Sequence, residues 1–383
     1  MKVIYLSHTS IMGGAPIALI NIIKGMEGLN LVPIVVVPTK GELTDVLSNM
    51  GVKCYVPPFR YVCMLEYPRN CSLIAWPKRL GIMFLRYFYG QHYLKKIIKN
   101  ENPDIVHSNT GVCNLALRYC ARKKIPYVWH IREYLVECGY KPFPINKYYN
   151  TLLHITGTYN IAITKGVFDC YKMRDSDTVI YDGVITDVNE KPLESECKFP
   201  YFLCVANISA QKGVDRLINS FSIFHETNNT HHLLIAGNYN ENDSYYILCK
   251  NFVEQKQLQN FVHFLGYRID KYSLMRSATA VVVPSIKEGF GFVVVEAMFC
   301  NSLVIGRNTA GVKEQFDVGF ENTGQEIGLR FDTDQELPNL MQLVINEDFS
   351  VMKHRAYDFV KNNYSISTNS EKIYQYYQTL LRK

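Results

Sequence analysis

The sequence has no Cys-x-x-Cys pair and no Cys/His group at zinc spacing, although it contains 11 cysteines. A zinc ribbon or a dithiol redox module is therefore excluded. No stretch approaches the ~18 apolar residues of a membrane span. The run from Met1 to Ser7 is also too short for a signal peptide. Charge is scarce: 20% of residues are charged and the net charge is +6. That balance suits small anionic ligands or an acidic membrane surface and does not single out nucleic acid, which is not an expected partner. Neither Gly-x-Gly-x-x-Gly nor a Walker lysine follows the first apolar run, which disfavours dinucleotide and P-loop readings. Cysteines scattered in apolar segments (Cys54, Cys120, Cys204, Cys249) suit reduced thiols in a cytoplasmic protein.

The chain does have enough apolar residues for large cores. Hydrophobic residues make up 48% of 383 positions, a length that points to two domains. Apolar runs alternate with helical patterns throughout, the signature of α/β architecture. In the first half, Lys2 to Ser7 reads as a strand and Gly13-Gly14-Ala15-Pro16 as a glycine loop. A helix over Ile17 to Met26 follows. Further strands are predicted at Leu31 to Val37, Lys53 to Val56, Asp104 to Asn109, Ile125 to Trp129, Ile161 to Thr164 and Val179 to Tyr181. Ligands gather at the carboxyl ends of parallel strands, so His8, His107 and His130 are expected to face one cleft. Residues 57–100 interleave basic and aromatic side chains. They suit either a surface for anionic headgroups or an ordinary amphipathic helix pair.

Asp187 to Pro200 is polar, holds two prolines and reads as a linker. A second alternation begins at Phe202 and places polar or glycine loops after its strands, at Asn207 to Gly213, Gly237 to Asn240, Glu288 to Gly291 and Asn308 to Gly311. Two doubly wound domains facing a cleft are expected.

Pro284 to Ala297 organises this half. An apolar β-branched run leads into Glu288-Gly289-Phe290-Gly291, and an apolar helix follows. The helix start aims free N–H groups and a positive dipole end at the loop, where a phosphate is stabilised. Glu288 and Glu296 can accept bonds from sugar hydroxyls. Lys212 is the one cation embedded in such a loop, a compact charge suited to a diphosphate. No Asp-x-Asp is expected to accompany these loops, so Lys212, helix starts and backbone amides would neutralise a leaving group without a divalent ion.

These segments resemble the retaining glycosyltransferases of GT-B fold, specifically family 4. The resemblance is carried by Phe202 to Gly213, Leu234 to Gly237, Phe264 to Tyr267 and Pro284 to Ala297. Weaker matches lie at Gly13-Gly14, Val106 to Ser108, Val128 to His130 and Tyr181 to Val184. It implies two Rossmann-like domains: an acceptor-side domain over 1–186 and a nucleotide-sugar domain over 187–360. Residues 361–383 would form a helix returning to the first domain. It also implies Glu288 beside the donor sugar, Glu296 on the ribose, Lys212 on the diphosphate and His130 near the reacting sugar. Gly13, Gly14, Asn207, Gly237, Phe290, Gly291, Phe292 and Val293 would complete the donor site. The implied reaction moves a sugar from a nucleotide diphosphate-sugar to a glycan or lipid-linked acceptor, without metal or cofactor. Cell-surface polysaccharide synthesis, on the cytoplasmic face of a membrane, is the implied setting. Epimerases and hydrolases of nucleotide sugars share the fold, and a catalytically silent binding subunit is a further alternative. Three positions depart from the family pattern. Asn207 replaces an arginine, Ala206 a common glycine, and Asn301-Ser302-Leu303 a Gly-x-Pro. Arg307, on a neighbouring loop, is the candidate to replace the missing guanidinium.

Overall fold

A computed structural model of the protein describes residues 1–67, 74–137, 139–184 and 197–382. The expected linker from Asp187 falls outside the described residues up to position 196. The chain divides into two compact units, Met1–Gly183 with Ile366–Lys383, and Val184–Ser365.

The first unit is built on seven parallel strands: β1 (Lys2–Leu6), β2 (Val32–Val36), β3 (Lys53–Tyr55), β4 (Ile105–Ser108), β5 (Tyr127–Ile131), β6 (Thr158–Ala162) and β7 (Thr178–Val179). They lie in the order β3-β2-β1-β4-β5-β6-β7. Helices cover both faces of such a sheet, so its central strands are continuously apolar. Val3 to Leu6 are accordingly fully buried. The strand order reverses between β1 and β4, with Tyr5 opposite His107 and Leu6 opposite Ser108. A ligand crevice is expected at that reversal, where loops diverge from the carboxyl ends.

Among the described residues of 57–100 one helix stands, where a pair is one of the two expectations. One helix of 26 residues runs from Trp76 to Glu101 and ends at Asn102, which adopts the left-handed conformation (φ 47°) just before Pro103. An asparagine in that conformation followed by proline is a strong stop signal. The helix after β4 begins at Leu117, and the final segment breaks at Tyr364–Ser365 into helices Ser350–Asn363 and Ile366–Leu381. The last of these lies in the first unit, where Ile373, Tyr377 and Leu380 join the same core as Val3 and Tyr5.

The second unit holds β8 (Tyr201–Val205), β9 (His232–Ala236), β10 (Val262–Gly266), β11 (Ala280–Val283), β12 (Val304–Arg307) and β13 (Leu329–Phe331). Their order is β10-β9-β8-β11-β12-β13, again all parallel. Its core joins Phe202, Leu217, Phe221 and Ile235 to Ile305 and Phe331. The strand order reverses between β8 and β11, the position equivalent to the β1/β4 boundary.

Gly25 fixes the seat of the C-terminal helix. A Cβ there would lie 2.3 Å from Ser370 Oγ and 2.6 Å from the Ile366 carbonyl oxygen. Gly25→Ala should therefore push that helix off helix Gly14–Gly25 and cost roughly 1–3 kcal/mol. A lowered melting temperature by calorimetry is the expected result, and an unchanged one would show that the helix is not seated there.

Candidate functional site

The two loops that leave the sheet at the β8/β11 reversal meet. After β8 the chain makes a short 3-10 turn over Ala210–Lys212 and turns through Gly213 in the left-handed conformation (φ 66°). A side chain at Gly213 is barred twice: by that φ, and by the Pro284 carbonyl oxygen, which would lie 2.7 Å from a Cβ. Ile286 N donates to the Gln211 carbonyl oxygen at 2.9 Å, tying the two loops together. Lys212 Nζ reaches Glu288 Oε1 at 2.6 Å, with both side chains partly open to solvent. The loop from Glu288 is braced from below: Gly311 N donates to the Glu288 carbonyl oxygen at 3.0 Å, and the buried Gln315 donates to that of Phe290 at 3.2 Å.

Gly291, left-handed at φ 89°, starts helix Phe292–Phe299. The first amides of a helix, here including Phe292 and Val293, have no intrahelical acceptor and carry the positive end of its dipole. Glu296 is buried in that helix, with 5% exposure. Lys271 Nζ at 2.7 Å and Tyr272 OH at 3.1 Å both donate to its Oε1. This leaves Oε2 to accept a bond from outside the chain. Burial, then the Glu296 charge, pushes the Tyr272 phenol up, so it stays a donor. Gly237 packs against the β8 loop so tightly that a Cβ would stand 2.0 Å from the Ala206 carbonyl oxygen. Asn207 Oδ1 accepts from Asn238 N at 3.2 Å.

Two expectations about charge are corrected. Arg307 cannot replace the absent guanidinium: it is buried, donates to the Pro284 carbonyl oxygen at 3.3 Å, pairs with Asp334 and lies 4.9 Å from the centre of the Phe331 ring. Its fork is spent on holding β11, β12 and β13 together. An Asp-x-Asp does accompany these loops, at Asp332-Thr333-Asp334. Asn308 Nδ2 donates to Asp332 at 3.0 Å and Arg307 takes Asp334. The Asp-x-Asp itself is readable in the sequence; its place beside the Asn308 loop is not, because it follows a strand of only three residues. The roles of Lys271, Tyr272 and Gln315 are equally unmarked in the sequence, since none lies in a glycine loop.

In the first unit, a Cβ at Gly13 or Gly14 would meet nothing within 4 Å. Gly13 is extended (φ 178°), so packing and backbone strain leave room for larger residues there. Asn109, after β4, donates to the Ala15 carbonyl oxygen at 2.8 Å and holds this loop over the β1/β4 reversal.

The three histidines do not line one open cleft. His107 and His130 are both fully buried, with ring centroids 5.5 Å apart. His107 Nδ1 bonds the Tyr377 hydroxyl of the C-terminal helix. His8 is half-buried and lies 3.3 Å from Thr110 Oγ1. The physical reason is strand register: His107 sits within β4, opposite Tyr5 of β1, rather than beyond its end. His130 Nδ1 accepts from Arg132 at 3.1 Å, which assigns the ring proton to Nε2, a buried atom with no protein partner. Arg132 itself pairs with the buried Asp182 and donates to Asn109 at 2.8 and 3.2 Å. Glu133, one residue on, accepts from its neighbours Val112 N and Arg132 N, and burial raises its carboxyl to about 7.

Residues 186–355 match the family model for glycosyl transferases group 1. The chain is also similar to N,N'-diacetylbacillosaminyl-diphospho-undecaprenol alpha-1,3-N-acetylgalactosaminyltransferase of Campylobacter jejuni, at 23% identity over 84% of each protein. An uncharacterized glycosyltransferase of Methanocaldococcus jannaschii is 26% identical over 70% of this chain and 75% of its own. Among solved structures, Anabaena HepE in complex with UDP-glucose superposes with a TM-score of 0.77. Its identity is 18%, covering 99% of this chain and all of that one (100%). The GT-B fold expected from the glycosyltransferase resemblance is the fold found.

Burial holds the His107 imidazole neutral, with its pKa lowered to about 3 from 6.5 and the Arg132 charge adding to the effect. Between these values the unfolded chain binds a proton that the folded chain refuses, so stability falls as pH drops through 6.5 toward 3. His107→Gln should flatten this part of the stability–pH curve, measured by urea unfolding at pH 4 to 7. An unaltered slope would contradict the assignment.

Proposed function

We propose that the chain is a retaining glycosyltransferase that moves a sugar from a nucleotide diphosphate-sugar to a glycan or lipid-linked acceptor. The observation that carries this reading is the Lys212–Glu288 contact of 2.6 Å at the sheet reversal, beside the start of helix Phe292–Phe299. A carboxylate, an ammonium and a set of helix-start amides at one crevice match the three parts of such a donor. The resemblance of residues 186–355 to glycosyl transferases group 1 supports the same assignment.

In this reading the donor separates the pair. The diphosphate takes Lys212 and the amides of Phe292 and Val293, while Glu288 accepts from a sugar hydroxyl against the Phe290-Gly291 backbone. A partly exposed ion pair is worth only about 0–1 kcal/mol, so opening it costs little. Glu296 offers Oε2 to the ribose, its other oxygen being held by Lys271 and Tyr272. As the glycosidic bond to the diphosphate breaks, the acceptor hydroxyl oxygen bonds the same face of the anomeric carbon and gives its proton to the departing diphosphate oxygen, which preserves the configuration. Lys212 and the helix dipole stabilise the departing charge, so the reaction is read as independent of a divalent ion. The relative from Campylobacter jejuni, named for a diphospho-undecaprenol acceptor, makes a lipid-linked acceptor in glycan assembly the favoured case.

Steady-state kinetics separate the two glutamates. Glu288→Ala should lower kcat by roughly 10²–10³-fold. Glu296→Ala should mainly weaken donor binding, by roughly ten- to a hundredfold. NMR of the product should show retained anomeric configuration, and turnover should survive chelation of divalent ions. Inversion, or turnover abolished by a chelator with Lys212→Ala harmless, would overturn the proposal.

A further inference from the structure

A cavity of about 360 Å³ opens in the first unit, among the segments that follow β4 and β5 and the helix Trp76–Glu101. That is at the small end of ligand pockets. Its walls are mainly aromatic and aliphatic, but Arg118 and Arg122 also line it. They stand four residues apart on helix Leu117–Lys123, hence on one face. Among the described residues no carboxylate lines the cavity. Arg118 donates to the neutral Tyr148 hydroxyl at 2.6 Å. Among the described residues neither guanidinium has a carboxylate partner, and both side chains remain open to solvent. Asn114, nearly buried, accepts from Tyr87 OH at 2.9 Å through Oδ1, which leaves its NH₂ group to donate.

The cavity also has an apolar exit. Phe88 lines it and is still 58% exposed. Leu85 (72%) and Ile82 (40%) continue the stripe along the same helix at three-residue steps. At the other wall, Tyr149 packs edge-on against Trp129, the neighbour of His130, at 5.1 Å.

An anion site that opens onto an exposed apolar stripe fits a ligand with a phosphate head and a hydrocarbon tail. A planar guanidinium pair is suited to phosphate oxygens. We infer that this cavity binds the phosphate of a lipid phosphate-linked acceptor, with Arg118 and Arg122 as its anion ligands and the lipid tail along Phe88, Leu85 and Ile82. The inference rests on the glycosyltransferase reading for the word acceptor, while the binding site itself does not.

The test is flotation of the full chain with neutral phosphatidylcholine vesicles, with and without a few mole per cent of polyisoprenyl phosphate. Co-flotation should require the polyisoprenyl phosphate, and Arg118→Gln/Arg122→Gln should weaken it by roughly ten- to a hundredfold. Both arginines are exposed, so the melting temperature of this variant should match the parent. Its stabilisation by nucleoside diphosphates, which reports the second unit, should also be unchanged. Equal flotation on vesicles lacking the polyisoprenyl phosphate, or an unaffected double variant, would overturn the inference. So would equal flotation on phosphatidylglycerol vesicles, which would mark a general charge contact. Arginine-dependent protection by inorganic pyrophosphate without any flotation would assign a soluble ligand and overturn the lipid assignment. Retained flotation with no donor binding would sink the transferase reading and leave the cavity standing.

Discussion

The site in the second unit depends on one topological constraint. Neighbouring strands β8 and β11 are sequence-distant, and the connections that leave them run to opposite sides of the sheet. Their loops are the two that can share a crevice. Lys212 and Glu288 meet there because each lies a few residues beyond its strand, in a turn too tight for a side chain at Gly213. The supporting bonds follow from the same crowding. Gly311, Gln315 and Thr309 hold the Glu288 loop by its carbonyl oxygens, leaving its carboxylate for a ligand.

The first unit solves a different problem. It buries two imidazoles, a guanidinium and a carboxylate beneath its own reversal. An unpaired charge there would be costly, so the histidines stay neutral while Arg132 and Asp182 pair. Asp182 is nonetheless raised, because burial outweighs the help from Arg132. The C-terminal helix closes this interior by placing the Tyr377 hydroxyl on His107. The last residues of the chain are thus part of the first unit's core.

Much of the fold was legible because its signals are local. Apolar runs followed by glycine loops marked β1, β8 and β11, and the glycine loops located Lys212, Glu288 and Glu296. What stayed hidden is what depends on packing between distant segments. Arg307 looked like a spare cation until β13, three residues long, brought Asp334 onto it. Lys271 and Tyr272 lie on a short helix with no motif, yet they orient Glu296. The histidines were misread because their burial depends on distant segments packed over the strand ends, the C-terminal helix with Tyr377 on His107 and Arg132 with Asp182 beside His130. Arg118 and Arg122 gave no sign at all, since only the fold surrounds them with aromatic rings.

The central claim is that the β8/β11 crevice holds a nucleotide diphosphate through Lys212. A thermal-shift series of nucleoside mono- and diphosphates and their sugar derivatives tests it most directly. A ligand at 100 times its dissociation constant adds about 2.7 kcal/mol of stability. The account predicts stabilisation by at least one diphosphate, little from the matching monophosphate, and loss of the difference in Lys212→Ala. No shift with any diphosphate, or an equal shift in the variant, would contradict it.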